Sequence, residues 1–416
     1  MPDSLTIQLT NQTTTPNIHA FITGLAIQHN MARVFLKPDG KSLYYPESPP
    51  PGQILQPLTQ DCAIPLGAPG NTVTVTIPQI AGGRIWFSAE KPLTFLRNPG
   101  GPGGGAALVE PSVLNPSDPN ADVDFAFCEF TLNNDQLFAN ISYVDFVPRL
   151  PIALTLQTRD GAVQHVSGMA PDGLERVCAG LRAQAAKDGR PWDKLVVRAK
   201  GEDGERPLRV LNPTHGNAVG ASFEGYFEPL VDAAWKKYAE KREKAHHGLR
   251  MRLPLMDKGP ETQAQAVLRI NTQAAPGVLE GSVPSGSNDL VIGGEAFGRP
   301  TTADILGCNS GPFTTGPSPK RNAIIPRLAA AFQRGCICEV SEHPSQPETF
   351  YKCDPTNHYS RIVHECNLDG KGYAFAYDDV QPDGGADQSG KVNAGDPKVW
   401  VVAVGGGAAY VGDRMP

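Results

Sequence analysis

Residues 125–147 read FAFCEFTLNNDQLFANISYVDFV, and the parsing of this stretch decides the fold. From Phe125 to Leu132 apolar residues alternate with others, and from Ile141 to Val147 β-branched and aromatic residues dominate, so both runs predict β-strands. Between them Asn133, Asn134 and Asp135 form a polar cluster that can close a turn. The expected product is a hairpin, or two near-neighbour strands. Side chains alternate between the faces of a strand, so Glu129, Thr131 and Asn133 share one face while Phe130 and Leu132 point into a core. On the return strand Asp145 shares a face with Tyr143 and lies between Val144 and Phe146. A hairpin folded symmetrically about Leu137 sets Glu129 opposite Asp145.

Two carboxylates held close together and partly shielded from water cannot both ionise easily; one pKa rises while the other acid stays ionised. That division suits glycoside hydrolysis, in which one carboxylic acid protonates the leaving oxygen and one carboxylate activates water or attacks the anomeric carbon. Strand carboxylates are mostly solvated surface residues, so the pair gains meaning only from its surroundings.

Those surroundings carry a resemblance. LVEPSVLNPSDPN (108–120), followed by CEFTLNN and SYVDFVP, resembles the signature of glycoside hydrolase family 64, endo-β-1,3-glucanases with a thaumatin-like fold. GGRIWFSAEKPLTF (82–95) and the closing NHYSRIVHECNLDGKGYAFAYDDV (357–380) resemble further blocks of the same family, with Ala376 where the family usually has Pro. The resemblance implies that Glu129 is the general acid and Asp145 the general base of an inverting reaction. It assigns Thr131 and Asn133 to holding glucose units. Phe138 stands where a larger aromatic residue, often Trp, is expected to stack on sugar. Tyr377 and Asp378, with Asp379, match an acidic run that lines the cleft, and Tyr143 joins the candidates through its place beside Asp145. Inversion requires the carboxyl groups to stand roughly 6.5–9.5 Å apart. The implied substrate is β-1,3-glucan such as laminarin or curdlan, cut to short laminari-oligosaccharides with no cofactor. The competing reading is a non-catalytic thaumatin-like protein that binds β-glucan as an antifungal, which needs the groove but not a matched acid and base.

Composition sets the outer limits. The chain has 416 residues, 40% of them hydrophobic, enough for more than one domain. With 37 basic and 43 acidic residues and a formal charge of -6, no Lys/Arg tract is long enough to track a phosphate backbone, so nucleic acid is not an expected partner. No apolar run is long enough to span a bilayer, and the first residues lack the order of a signal peptide. Five of the eight cysteines fall between Cys308 and Cys366, which leans toward disulfides and an oxidising compartment. The sequons at Asn11 and Asn140 are compatible with secretion. A secreted monomer is the expectation.

Along the chain, residues 5–95 read as short strands separated by turns, and NPGGPGGGAALVEPS (98–112) as a flexible loop ending at Glu110, a groove or structural residue. After Pro148 the texture changes: Leu174–Lys187 and 223–244 have helical periodicity and alternate with the strand-like LVVRA and LRVLN, and Ile325–Gly335 is again helical. The last part, 357–380 and VWVVAVGGG, returns to strand texture. The resulting expectation is a mainly β protein. A thaumatin-like β-sandwich or barrel occupies 1–150 and 345–416, a mixed α/β domain is inserted at 151–344, and a wide groove between them suits a polymer. Cys336-x-Cys338 with Cys353, His358, His364 and Cys366 lacks the paired spacing of a zinc site, so no metal is expected; His358 reads as a hydrogen-bonded structural residue.

Overall fold

The computed structural model describes residues 3–101, 105–201, 204–240, 266–273 and 277–406. They divide into two compact units, one of residues 1–222, 358–379 and 387–416, the other of 223–357 and 380–386.

The first unit is built on two main sheets. One runs in the order Val163–Val166, Ile152–Thr158, Pro397–Val404, Ser4–Asn11, Thr72–Pro78. In it only the pair between Ser4–Asn11 and Pro397–Val404 is parallel, joining the two ends of the chain. The other runs Lys391–Ala394, Leu137–Ile141, Phe125–Leu132, Ile80–Ala89, Ile18–Ala26, Ala32–Leu36, Leu43–Tyr44, with Ile64–Pro65 also on Ile18–Ala26. The alternation seen in the sequence decides which side of each strand meets the other sheet. Ala126, Cys128, Phe130 and Leu132 are all buried, and Phe130 meets Trp400 of the first sheet edge-on with ring centroids 5.4 Å apart. Gly83, paired with Phe130, leaves room for that ring, since a Cβ there would lie 2.4 Å from it.

On the opposite face Phe125 and Phe127 join Trp86, Phe95 and Phe146 in an aromatic cluster, with Phe127 and Phe146 centred 5.9 Å apart. Trp86 satisfies its indole N–H on Thr23 Oγ1 at 3.0 Å. Truncating one such buried ring to Ala costs about 3–5 kcal/mol, so the cluster is a rigid floor for whatever stands above it. A small sheet of Phe146–Pro148, Gly204–Leu211 and Val196–Gly201 is tied to it through Phe146 and Leu211.

Several expectations change. The return strand of the hairpin is Leu137–Ile141, and Phe146–Pro148 belongs to a different sheet, so Glu129 lies opposite Asn140 and not Asp145. Asn133 is the reason: its Oδ1 accepts the N–H groups of Asp135 and Gln136, both at 2.9 Å, and turns the chain immediately after Leu132. His358–Cys366 is a helix and not strand. Its buried Tyr359, Ile362, Val363 and Cys366 follow an i, i+3, i+4, i+7 spacing. It packs on the helix Gly173–Asp188, where Gly180 lets Ile362 approach to within 2.9 Å of the position a Cβ would take. That contact, together with Ile152–Thr158 sitting beside Pro397–Val404, keeps residues 151–222 in the first unit. The changes of unit therefore fall at 222/223, 357/358, 379/380 and 386/387, away from the texture changes near 150 and 344.

The second unit pairs a five-stranded sheet (Glu295–Phe297, Leu290–Ile292, Val278–Ser282, Leu268–Asn271, Glu342–His343) with the helices Glu228–Lys237, Thr302–Gly307 and Pro319–Gln333. Trp235 and Phe313 pack on Phe332 at its core. The helix expected over 223–244 runs only from Glu228 to Lys237, and residues 241–244 of the expected span lie outside the described residues.

All eight cysteines are free thiols, so the clustered ones form no disulfide. The sequons carry no support for glycosylation either. Asn11 is fully buried with Nδ2 donating to the carbonyls of Thr15 and Gly67, and Asn140 lies inside a strand, 8% exposed. No described helix is long and apolar enough to cross a membrane.

Candidate active site

Strand register draws a row of side chains across one face of the larger sheet. Arg84 pairs with Glu129, Glu129 with Asn140, and Asn140 with Lys391. In the next row Thr131 pairs with Phe138 and Phe138 with Asn393. Directly opposed residues project from the same face, so these groups are neighbours by construction. They open on a hollow of about 450 Å³ lined by Arg33, Glu110, Glu129, Thr131, Phe138 and Asn140 among others, a size that accommodates a sugar residue.

Arg84 is the hub. Its Nη1 donates to Glu110 Oε2 at 2.6 Å, while Nε and Nη2 both donate to Glu129 Oε1, at 3.2 and 3.0 Å. The guanidinium rests on the rings of Phe127 and Trp86, 4.8 and 5.5 Å from their centroids. Burial works against its charge, yet Glu110, Glu129 and Asp145 together hold its pKa above the ordinary arginine value. Glu129 Oε2 takes no partner among the described residues. The Glu129 side chain is 37% exposed and that of Glu110 27%.

The charge of Asp145 also acts on this guanidinium. Asp145 lies in the connection that leaves Leu137–Ile141, one residue before Phe146 enters the aromatic cluster. The turn at 212–215 fixes it: Asn212 N–H donates to the Asp145 carbonyl at 2.9 Å, and His215 Nε2 lies 3.3 Å from Asp145 Oδ1. Asn212 holds that turn by capping Thr214 N–H with Oδ1 and donating Nδ2 to the Ala374 carbonyl. The His215 hydrogen bond, aided by the charges of His215 and Arg84 and opposed by burial, keeps the Asp145 carboxyl below the usual aspartate range. Asp145 therefore stays ionised. Its side chain is 44% exposed, and Oδ2 has no partner among the described residues.

The remaining residues singled out in the sequence divide. Thr131 and Phe138 line the hollow with Glu129. Asn133 commits its Oδ1 to the hairpin turn. Tyr143 is turned inward: its ring is 1% exposed, packed where Gly372 has no Cβ, and its hydroxyl donates to Asn367 Oδ1 at 3.1 Å. Asp378 is likewise turned inward, 1% exposed, accepting from the Ala374 N–H and lying 2.9 Å from His364 Nε2. Tyr377 is half-buried in the same turn. Its neighbour Tyr373 is the ring that feels Glu129. Burial first, then Asp379, Asp378 and Glu129, push its hydroxyl well above the usual tyrosine range, so it stays a donor, given to the Ala376 carbonyl at 3.0 Å. His358 is 3% exposed, accepting from Arg361 Nε at 3.1 Å. Arg84, His215 and Asn140 escaped the reading of the sequence. Arg84 alternates with Trp86 in GRIWFSA, which places it on a sheet face, but nothing local reveals its two carboxylates.

A hollow in a sheet that offers carboxylates, a hydroxyl, an amide and a part-open aromatic ring has the chemistry of the carbohydrate-active β proteins. Comparison with known proteins narrows the class. The family model described as β-1,3-glucanase, glycoside hydrolase family 64, matches residues 3–247 and 261–404, and the chain belongs to that family. Two relatives named glucan endo-1,3-beta-glucosidase, from Cellulosimicrobium cellulans and Arthrobacter sp. (strain YCWD3), are each 30% identical over 321 residues, covering 74% of this chain and 50% of theirs. The chain thus spans about half the length of the curated relatives it matches. A crystal structure of a laminaripentaose-producing beta-1,3-glucanase in complex with laminaritetraose superposes with a TM-score of 0.76 at 26% identity, covering 97% of this chain and 99% of that one. A beta-1,3-glucanase domain from Clostridium beijerinckii shares the fold, with a TM-score of 0.69 at 22% identity over 97% of this chain and 98% of its own.

Proposed function

We propose that the chain is an endo-acting β-1,3-glucanase that inverts the anomeric centre, with Glu129 as general acid and Asp145 as general base. The observation that carries this reading is the pair of part-exposed carboxylates set around one guanidinium, each with one oxygen tied to the protein and one open. Arg84 fixes Glu129 Oε1 and His215 fixes Asp145 Oδ1. Glu129 Oε2 then carries the proton delivered to the glycosidic oxygen as the C1–O bond breaks. Asp145, held ionised, takes a proton from the water whose oxygen bonds to C1 from the opposite face. Each β-linkage cut releases a new reducing end in the α configuration, and solvent returns the proton from Asp145 to Glu129. The charge of one guanidinium acts on both acids, which supports their sharing one site.

Thr131 and Phe138 give the bound glucan a hydroxyl partner and a ring to lie on. That one chain carries the whole set supports a monomeric enzyme, and a polymeric substrate that cannot enter a cell intact supports secretion. The test is reducing-sugar release from laminarin by the wild type, Glu129→Gln and Asp145→Asn, with proton NMR of the first product. Each variant loses about 10²–10⁴-fold in kcat, the usual contribution of a positioned acid or base. Activity surviving in both variants, or a first product in the β configuration, rules the mechanism out; binding without hydrolysis by the wild type points to a glucan-binding protein instead.

A further inference from the structure

Asn140 stands at the centre of the polar row, between Glu129 and Lys391, and is 8% exposed. Its Oδ1 has no hydrogen-bond partner. A buried amide oxygen left unpaired is destabilising, and asparagine is itself a poor strand residue. The fold thus carries two penalties at one position and draws no hydrogen bond from that oxygen. The other buried asparagines of this unit contrast with it: Asn11, Asn120, Asn212 and Asn367 each use both ends of the amide in hydrogen bonds. Asn140 lies where an apolar strand residue would serve the sheet better, and it lines the hollow beside Glu129.

We propose that Asn140 is a specificity-determining residue whose amide pairs with a hydroxyl of the sugar unit bound against Glu129. An amide offers one acceptor oxygen and two donor hydrogens, and a sugar hydroxyl both donates and accepts, so the two satisfy each other in either orientation of the amide. Burial makes the contact selective: a ligand lacking that hydroxyl leaves the amide unpaired and dry. The proposal rests on the glucanase reading and adds a residue to it.

The experiment compares Asn140→Leu, of similar volume, with the wild type on laminarin, and repeats the comparison with Asn140→Val should the leucine variant not fold. The expected result is a KM raised about tenfold to a hundredfold with kcat little changed, and the same loss of laminarin affinity in a Glu129→Gln background followed by calorimetry. The melting temperature of the unliganded variant holds or rises, because an unpaired buried amide has been removed. An unchanged KM overturns the proposal, and so does a lowered melting temperature, which would assign Asn140 to folding whatever the kinetics. Wild-type hydrolysis that is lost in Glu129→Gln but unaltered in the Asn140 variant sinks this inference alone. Hydrolysis that survives in Glu129→Gln sinks the glucanase mechanism beneath it.

Discussion

Glu129 stands within an antiparallel sheet, paired on both sides, whereas Asp145 stands in a short connection between two sheets. The sheet residue needs no local device to hold its backbone. Its strand is hydrogen-bonded to both neighbours, and Phe127 two positions earlier anchors the same face in the aromatic cluster. Asp145 lies between the buried Tyr143 and Phe146, and the turn at 212–215 supplies what the sheet supplies to Glu129: a main-chain hydrogen bond and a side-chain one. The acid is thus placed by register and the base by a bracket. Single substitutions around the two should therefore act unequally.

The largest effect outside the two acids themselves is expected at Arg84, the only described cation bonded to Glu129. Arg84→Met removes three charge-assisted bonds at once and leaves Glu129 and Glu110 facing each other without a counter-charge. Hydrogen bonds to charged groups contribute about 1.5–3 kcal/mol each, so kcat/KM on laminarin should fall by about a hundredfold or more. Arg84→Lys restores the charge but not the fork, and should recover only part of the loss. If Lys restores full activity, the geometry of the fork is irrelevant and only its charge matters. If Met costs less than about threefold, register alone positions Glu129.

The same contrast explains what could be read from the letters. The strand Phe125–Leu132 and the face carrying Glu129 and Thr131 follow from period-two alternation, a property of the strand itself. The helix Gly173–Asp188 is legible in the same way, through its own 3.6-residue period. Where the hairpin closes depended on one asparagine side chain capping two N–H groups, and Asn133, Asn134 and Asp135 were all plausible turn residues. Arg84 lies 45 positions from Glu129 and His215 lies 70 from Asp145, so no local pattern links either to its carboxylate. Asn140 was legible only as part of a sequon, because an unpaired amide is a property of the folded interior. His358–Cys366 shows the converse failure: the helical spacing was present, but flanking aromatic and β-branched residues gave it strand texture.

His215 tests the bracket. His215→Ala frees Asp145 Oδ1 and removes the leading cause of its lowered pKa. In the wild type Asp145 remains ionised well into acid, so the acid limb of kcat/KM lies low; in the variant the carboxyl moves back toward the ordinary aspartate value of about 3.9 and the limb shifts to higher pH. At neutral pH Asp145 is ionised in both, and the remaining loss, about tenfold, reflects its freer orientation. A variant with the neutral-pH loss but an unmoved acid limb would show that His215 only orients Asp145 and does not set its acidity.

The smallest expected effect is on stability, and its sign is fixed by the same shift. A carboxyl whose pKa is lower in the folded chain than in the unfolded one contributes stability that is fully present above the unfolded value, about 3.9, and is lost as pH falls through the folded value. Wild type should therefore exceed Asp145→Asn in melting temperature at neutral pH, and the gap should close as the pH drops below about 4. Because the Asp145 side chain is 44% exposed, solvent screening keeps the contribution under about 1 kcal/mol, so the gap amounts to a degree or two at most. Thermal melts of the two proteins from pH 7 down to pH 3 read it directly. A gap that widens on acidification would mean that the folded protein binds the Asp145 proton more tightly than the unfolded chain does, and the bracket would then favour the protonated acid over the base.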